Sequence, residues 1–140
     1  SILDGEGNAL SMTSTVESVF GARIVVRGFV LNNQLTDFSF RPEIEGRPVA
    51  NRVEGGKRPR SSMAPLLVFR DGRLEAALGS PGGARIIGYV AQASVALLDW
   101  GMDAQAAAAL PHVGPLNAQL ELEQGTAAAG LLPALAARGV

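Results

Sequence analysis

The sequence predicts an α+β fold, with strands in the first two thirds of the chain and helices after Gly82-Gly83. Two local patterns support this order. Asp71-Gly72 lies between two apolar runs, as is typical of a β-hairpin turn, and the apolar residues after Gly83 recur at helical spacing. With 140 residues, 47% of them hydrophobic, the chain can bury a core. We therefore expect residues 1–140 to form a single domain.

The N-terminal part contains several apolar runs separated by turn residues. Ile2–Leu3 and Ala9–Thr15 flank the turn-like Gly5–Asn8, which predicts a hairpin. Ala22–Leu31 is a longer apolar run and is expected to be a strand. Phe40–Met63 is rich in Arg, Glu, Gly and Pro, so it is expected to be an irregular surface connection of about 20 residues. Loops of that length are often functional.

A second hairpin is predicted further along the chain. Leu66–Phe69 and Leu74–Leu78 flank Arg70-Asp71-Gly72-Arg73. Asp-Gly favours a type I′ turn because both central positions need positive φ.

The C-terminal part is predicted to be helical. The apolar positions that recur at helical spacing are Ile86, Ile87, Val90, Ala91, Ser94, Leu97 and Leu98. Gly101 is placed to end this helix, and Asp103 fits the N-cap of a short alanine-rich helix stopped by Pro111. A last helix is expected over Ala127–Arg138, with Pro133 in its first turn or at a kink.

Composition excludes several classes of function. Twelve basic and thirteen acidic residues give a net charge of −1, which lacks the basic excess that nucleic acid or anionic lipid would need. The absence of cysteine excludes disulfides, a thiolate nucleophile and a sulfur-ligated metal site. No apolar stretch approaches the ~20 residues that span a bilayer. The first residues do not resemble a signal peptide and already look strand-like, which suggests a piece of a larger protein.

Gly79-Ser80-Pro81-Gly82-Gly83 is a glycine-rich turn that enters a helix. Such a turn can point several backbone N–H groups into one space and hold an oxyanion. Taken alone, the motif more often marks a plain strand-to-helix turn that uses the backbone freedom of glycine.

Two polar segments could bind a charged ligand. Ser61 and Ser62 follow the basic run Lys57–Arg60 and could bind a carboxylate, although a solvated loop is the commoner interpretation of such a segment. Gln34 and Asp37 follow an apolar run and could bind an ammonium group, although a turn that satisfies its own backbone is the commoner alternative.

A serine–histidine triad is disfavoured. His112 is the only histidine, it follows a predicted helix, and the chain has no Gly-x-Ser-x-Gly elbow. Without a second histidine or an acidic cluster, His112 is also a poor metal ligand. We assign it no site and expect no cofactor or metal.

Four segments, in order, resemble the small subunit of gamma-glutamyltransferases. They are GNALSMTSTVESVFG (7–21), LNNQLTDFS (31–39), KRPRSSMAP (57–65) and GSPGGARII (79–87). Any one of them could arise by chance, but the order and compatible spacing of all four make coincidence very improbable. The resemblance covers nearly the whole chain.

The resemblance implies a fold and a reaction. The fold would be part of an αββα N-terminal-nucleophile hydrolase sandwich, with an antiparallel sheet and helices packed on one face. The reaction would be γ-glutamyl transfer or hydrolysis through an acyl-threonine, with the threonine's own amine as base. The family motif is Thr-Ser/Thr-His-x-Ser, and Ser1 resembles its last serine. The nucleophile would therefore lie four residues before Ser1, and this chain alone is expected to be inactive.

The resemblance also implies roles for eight residues of this sequence. Thr15 would orient the nucleophile, and the N–H groups of Gly82 and Gly83 would hold the tetrahedral oxyanion. In the substrate-binding part, Gln34 and Asp37 would hold the donor's α-ammonium, and Ser61 and Ser62 its α-carboxylate. Glu17 departs from the asparagine of many glutathione-hydrolysing members and resembles the variant of acyltransferase or cephalosporin-acylase-like relatives.

The implied partners are the large subunit of the same precursor, a γ-glutamyl donor such as glutathione, and an amino-acid, peptide or water acceptor. One face of the sheet would be covered by a helix over Arg85–Trp100 and the other would meet the large subunit. An exposed apolar sheet would favour oligomerisation. Two alternatives stay open: a cephalosporin- or glutaryl-acylase-like amidohydrolase, and a noncatalytic ligand-binding remnant. The periplasm is the commoner compartment of bacterial relatives.

Overall fold

A computed structural model describes residues 1–139 of the chain. Contacts divide the chain into two compact units. Unit 1 contains Ser1–Thr13 and the chain from Ser62 onward, and unit 2 contains Ser14–Ser61. The expectation of a single domain stays a prediction.

The secondary structure is a series of short strands and helices. In chain order the strands are β1 (Ile2–Leu3), β2 (Ala9–Leu10), β3 (Val25–Val26), β4 (Phe29–Val30), β5 (Glu43–Ile44), β6 (Arg47–Pro48), β7 (Leu66–Arg70), β8 (Arg73–Leu78), β9 (Val113–Leu116) and β10 (Gln119–Leu122). The helices are α1 (Ile86–Leu98), α2 (Ala104–Ala108) and α3 (Leu132–Ala136), and 3₁₀ turns cover Gln34–Asp37, Gly83–Arg85 and Ala127–Leu131. The mixture of antiparallel strands and helices confirms the α+β class.

Unit 1 contains both predicted hairpins. β1 pairs with β2, and β7 pairs with β8 around the Asp71-Gly72 turn, where both residues have positive φ (52° and 77°). The β7–β8 pairing shifts register between Val68 and Phe69. The run Ala9–Thr15 was expected to be a strand, but strand pairing ends at Leu10, so the predicted strand is too long.

The predicted helices of unit 1 are confirmed, with shorter C-terminal elements than expected. Asp103 caps α2, since its Oδ1 accepts the N–H of Ala106 at 2.7 Å. Pro133 lies in the first turn of α3, where its missing N–H costs no helical hydrogen bond. α3 ends at Ala136, and the 3₁₀ turn replaces the helix start that was expected at Ala127.

Three hairpins were not predicted. The run Ala22–Leu31 is interrupted by a turn at Arg27-Gly28, with φ of 49° and 84°, so it forms β3–β4 instead of one strand. The connection Phe40–Met63 contains β5–β6 around Glu45-Gly46. β9 and β10 pair around Asn117-Ala118.

The described strands form five separate two-stranded hairpins, so the single antiparallel sheet expected under α1 is not formed by residues 1–139. α1 packs instead against α2 and β9. The core of unit 1 lies here, at Ile86, Val90 and Ala96 of α1 and Ala107 of α2. The buried hydrophobic residue of unit 2 is Phe38, while Val25, Val26 and Phe29 are exposed.

Candidate functional site

In unit 1, the glycine-rich segment forms a sharp turn between β8 and α1. Gly82 and Gly83 both lie in the left-handed region, with φ of 135° and 57°. Their carbonyls begin the following helix, since Gly82 O accepts the N–H of Arg85 and Gly83 O that of Ile86. Among residues 1–139 neither glycine N–H donates a hydrogen bond. Two consecutive free donors of this kind suit an oxyanion.

Gly82 is required by space as well as by conformation. A Cβ at this position would lie 2.8 Å from Cε2 of Tyr89, closer than real Cβ atoms approach, and 3.1 Å from Cδ2, which is also tight. A Cβ at Gly83 would meet nothing within 4 Å. Gly82 is therefore fixed by contact with α1, and Gly83 only by its backbone conformation.

Ser62 lies beside the same turn. Its hydroxyl donates to the carbonyl oxygen of Gly83 at 2.6 Å. This is a different use from the predicted one, because a carboxylate would need the same O–H as a donor. Binding a carboxylate through Ser62 therefore requires its hydroxyl to rotate away from Gly83, and that role stays a prediction.

In unit 2, Gln34 and Asp37 are brought together by the 3₁₀ turn at Gln34–Asp37. The side-chain amide of Gln34 donates to Oδ2 of Asp37, and Asn32 Oδ1 accepts the backbone N–H of Gln34 at 3.0 Å. The carboxylate of Asp37 and the amide oxygen of Gln34 are both acceptors. The pair therefore presents acceptor oxygens of the kind that an ammonium group needs, and its role in binding one stays a prediction.

Thr15 and Glu17 lie in an exposed loop of the same unit. Thr15 Oγ1 accepts the backbone N–H of Glu17 at 2.8 Å, which supports a positive φ of 73° at Glu17. The hydrogen bond from Ser18 Oγ lowers the pKa of the Glu17 carboxyl, with further contributions from Asn33 and Thr36, against an opposing effect of desolvation. Glu17 therefore carries a negative charge at neutral pH.

Asn33 joins this loop to the 3₁₀ turn. Its Oδ1 accepts the Ser18 N–H at 3.0 Å, and its Nδ2 donates to the hydroxyls of Ser18 at 2.9 Å and Thr36 at 3.3 Å. Gly21 permits the close approach of the two segments, because a Cβ there would lie 2.3 Å from the carbonyl oxygen of Leu31. Thus the structure brings Glu17 close to the turn that carries Gln34 and Asp37.

Asn51 is a second positioning residue that the sequence did not reveal. Its Nδ2 donates to the carbonyl oxygen of Asp37 at 2.7 Å, and its Oδ1 accepts the N–H of Arg60 at 3.1 Å. Within unit 2, Asn51 therefore links the Gln34–Asp37 turn to Arg60, the last residue of the basic run Lys57–Arg60. An asparagine in a predicted irregular loop gives no signal of this kind, because the role depends on contacts distant in the chain.

One residue of the basic run Lys57–Arg60 forms an ion pair. Lys57 Nζ lies 2.6 Å from Oε2 of Glu54, which also pairs with Arg52 at 2.8 Å. Lys57 and Arg52 together lower the pKa of Glu54. The guanidinium groups of Arg58 and Arg60 make no ion pair within the described part of the chain. Their positive charges are therefore not neutralised by a carboxylate of the described chain.

The eight predicted site residues thus form two groups. Unit 2 contains Thr15, Glu17, Gln34, Asp37 and Ser61, and unit 1 contains Ser62, Gly82 and Gly83. Throughout residues 1–139, no cluster of three or more His, Asp or Glu side chains could hold a metal ion. No helix in the described chain is long and apolar enough to cross a membrane.

Comparison with known proteins gives the family. A model of the gamma-glutamyltranspeptidase family matches residues 1–140. The chain is 40% identical over 134 residues to the glutathione hydrolase proenzyme of Escherichia coli (strain K12), covering 89% of this chain and 23% of that protein. It is 37% identical over 140 residues to the acylase ACY 1 proenzyme of Pseudomonas sp. (strain SE83), covering 99% of this chain and 24% of that protein.

A solved structure gives the fold class. A highly active W525D mutant of gamma-glutamyltranspeptidase from Pseudomonas nitroreducens matches with a TM-score of 0.80 at 33% identity, covering 96% of this chain and 76% of that one. The fold is therefore that of the N-terminal-nucleophile hydrolases. The chain belongs to the gamma-glutamyltranspeptidase family, and it spans less than a quarter of the length of these two curated relatives.

Proposed function

We propose that the protein transfers or hydrolyses γ-glutamyl groups through an acyl-threonine intermediate. The observation that carries this proposal is the Gly82-Gly83 turn, with two adjacent backbone N–H groups free to bind an oxyanion. Membership of an enzymatic family supports the same reaction. The nucleophile would be a threonine that precedes Ser1 in the full-length protein, and the partner would be the large subunit of the same precursor.

The reaction would proceed in two halves. The threonine oxygen attacks the γ-carbonyl carbon, its proton moves to the threonine's own α-amine, and the carbonyl electrons move to the oxygen. The N–H groups of Gly82 and Gly83 stabilise that oxyanion. The C–N bond then breaks, and the leaving amine takes the proton. In the second half, water or an acceptor amine attacks the acyl carbon and gives a proton to the α-amine. The ester C–O bond then breaks, and the threonine oxygen takes that proton as the product leaves.

The donor would be selected by its two α-charges. Gln34 and Asp37 offer acceptor oxygens to the ammonium group, and Glu17 adds a second carboxylate. Ser61 and Ser62, beside Arg58 and Arg60, would bind the α-carboxylate. Thr15 would orient the nucleophile through its hydroxyl. A γ-glutamyl group carries both charges, whereas a glutaryl group lacks the ammonium.

A matched pair of substrates tests the proposal in the full-length protein. We expect turnover of γ-glutamyl-p-nitroanilide that depends on the threonine upstream of Ser1 and is lost when that threonine is replaced by alanine. Glutaryl-p-nitroanilide has the same acyl length but lacks the α-ammonium, so it should react much more slowly. Sequence upstream of Ser1 without a threonine would instead support the noncatalytic remnant.

The acylase alternative rests on a specific observation. The resemblance implies that Glu17 stands where many glutathione-hydrolysing members have asparagine, and a relative named acylase ACY 1 proenzyme aligns over 99% of this chain. An acylase would use the same threonine chemistry without the need for an α-ammonium. Faster turnover of the glutaryl than of the γ-glutamyl anilide would favour it over the leading proposal.

A further inference from the structure

We propose that Tyr89, supported by His112, is a positioning residue that holds the Gly82-Gly83 turn in its oxyanion-binding conformation. This inference rests on the proposed function. Neither residue belongs to the predicted site: Tyr89 follows the glycine pair by about two helical turns, and His112 lies much further along the chain. The role is assigned from contacts within unit 1 alone.

The first contact is between the Tyr89 ring and Gly82. Tyr89 is the fourth residue of α1, and its ring edge fills the space that a Gly82 side chain would occupy, with Cε2 2.8 Å from the ideal Cβ position. The ring therefore packs directly on the backbone of the turn. A glycine pair has no side chains of its own to fix it and otherwise samples a wide range of φ.

The second contact is with a face of the ring. Tyr89 stacks on His112, with ring centroids 3.9 Å apart and planes at 24°. Because His112 covers this face, it opposes rotation of the ring, which would break the edge contact with Gly82. The stacked pair connects the turn to the hairpin β9–β10.

His112 is itself fixed by its backbone and neighbours. Its N–H donates to Oε2 of Glu123 at 2.8 Å, and its carbonyl oxygen accepts the Glu123 N–H at 3.0 Å. The side-chain amide of Gln92, on α1, donates to Pro111 O at 2.8 Å and accepts the Val113 N–H at 3.3 Å. Buried His112 Nδ1 has no hydrogen-bond partner among the described residues, so packing and not a polar contact orients the ring.

Arg85 anchors the other end of the turn to the same hairpin. Its Nε and Nη2 lie 2.6 Å and 2.9 Å from the two carboxylate oxygens of Glu121 on β10. The glycine pair is thus held between two links to β9–β10, one aromatic and one ionic. Oxyanion stabilisation depends on donors that are already oriented before the charge develops. Contacts that hold the two N–H groups in place would therefore raise kcat.

Kinetics of three variants in the full-length protein test the role. Tyr89→Ala should lower kcat for γ-glutamyl-p-nitroanilide by about 10- to 100-fold with little change in KM, because the loss is in the transition state. Tyr89→Phe retains the ring and should recover most of the turnover. Val95→Ala removes an apolar side chain further along α1 and should lower Tm without a comparable loss of kcat.

A second measurement is independent of the reaction. Hydrogen exchange of the Arg85 and Ile86 N–H groups, which donate to the carbonyl oxygens of Gly82 and Gly83, should be faster by about tenfold in Tyr89→Ala than in wild type, and unchanged in Tyr89→Phe and Val95→Ala. Absence of wild-type turnover would refute the proposed function, but hydrogen exchange would still show whether Tyr89 holds the conformation of the turn. Unchanged exchange in Tyr89→Ala, or an equal loss of kcat in Val95→Ala, would overturn the positioning role.

Discussion

Gly82 and Gly83 both have positive φ, but only at Gly82 is there no space for a side chain. At Gly82 an added Cβ would collide with the Tyr89 ring, whereas at Gly83 it would enter open space. A substitution at Gly83 therefore adds only the cost of a left-handed alanine, about 1 kcal/mol. At Gly82 the Tyr89 ring or the backbone must also shift, and a shift of the backbone displaces both N–H donors.

We predict that Gly82→Ala lowers kcat far more than Gly83→Ala. The loss of an oriented oxyanion donor typically costs about 100-fold or more in kcat, and Gly82→Ala should approach this value. Gly83→Ala should cost about tenfold or less, because its N–H stays close to its place. Steady-state kinetics and thermal unfolding of both variants measure the difference. Equal losses would show that contact with Tyr89 does not fix the turn.

Glu17 combines a positive φ with a carboxylate whose pKa is lowered, chiefly by Ser18. The side chain therefore stays ionised, and an ammonium group nearby would be attracted to it. Asparagine tolerates the left-handed region better than most residues, so Glu17→Asn should not reduce stability. This substitution removes charge without a large change in shape.

We predict that Glu17→Asn raises KM for γ-glutamyl-p-nitroanilide several-fold and leaves the glutaryl anilide unaffected, since only the former carries an ammonium group. The ratio of kcat/KM values for the two substrates gives the result. If the protein is instead an acylase, the same substitution should shift preference towards the γ-glutamyl donor. The direction of the change therefore separates the two hypotheses.

At the scale of elements, the sequence predicted those turns and helix ends that depend on a few neighbouring residues. The Asp71-Gly72 hairpin and the Asp103 cap depend on neighbouring residues and were both found. The Arg27-Gly28 turn was missed because the apolar run around it read as one strand, although a glycine after a polar residue gave a signal. The glycine-rich turn and the polar turn were predicted from the residues, and the resemblance supplied their expected roles. Asn33 and Asn51 were missed because their contacts join separate segments, and Tyr89 because its place at helical spacing does not show that its ring meets Gly82.

The ion pair between Arg85 and Glu121 joins the start of α1 to β10, and its contribution should depend on pH. The guanidinium lowers the pKa of Glu121. A lowered folded-state pKa means that the pair stabilises fully above the ordinary carboxyl range, and that this stabilisation is lost as pH falls through the lowered pKa.

We predict that Glu121→Gln lowers Tm at neutral pH and that the difference from wild type disappears in acid. Thermal unfolding of the full-length protein over a pH series gives the result. Glu43→Gln, at an exposed position of β5, controls for the loss of a negative charge. A difference that persists at the acid end would mean that Glu121 stabilises through packing and not through the ion pair.

At the scale of the whole molecule, large apolar side chains are exposed and could be covered by another protein surface. Val25 and Phe29 of β3–β4 are 65% and 73% exposed, and in unit 1 Ile87 of α1 is 59% exposed. Large exposed apolar groups of this kind commonly mark interfaces. The proposed large subunit is the natural occupant, since relatives of this chain are named as proenzymes.

We predict that residues 1–140 produced alone neither turn over γ-glutamyl-p-nitroanilide nor remain monomeric. The nucleophilic threonine is expected upstream of Ser1, so the oxyanion turn would have no attacking group. Sedimentation velocity should show self-association that increases with concentration, because the apolar strands lack their partner surface. Replacing Val25 with Thr and Phe29 with Ser should reduce that association. Turnover by the chain alone would refute the missing nucleophile, and a concentration-independent monomer would refute the uncovered interface.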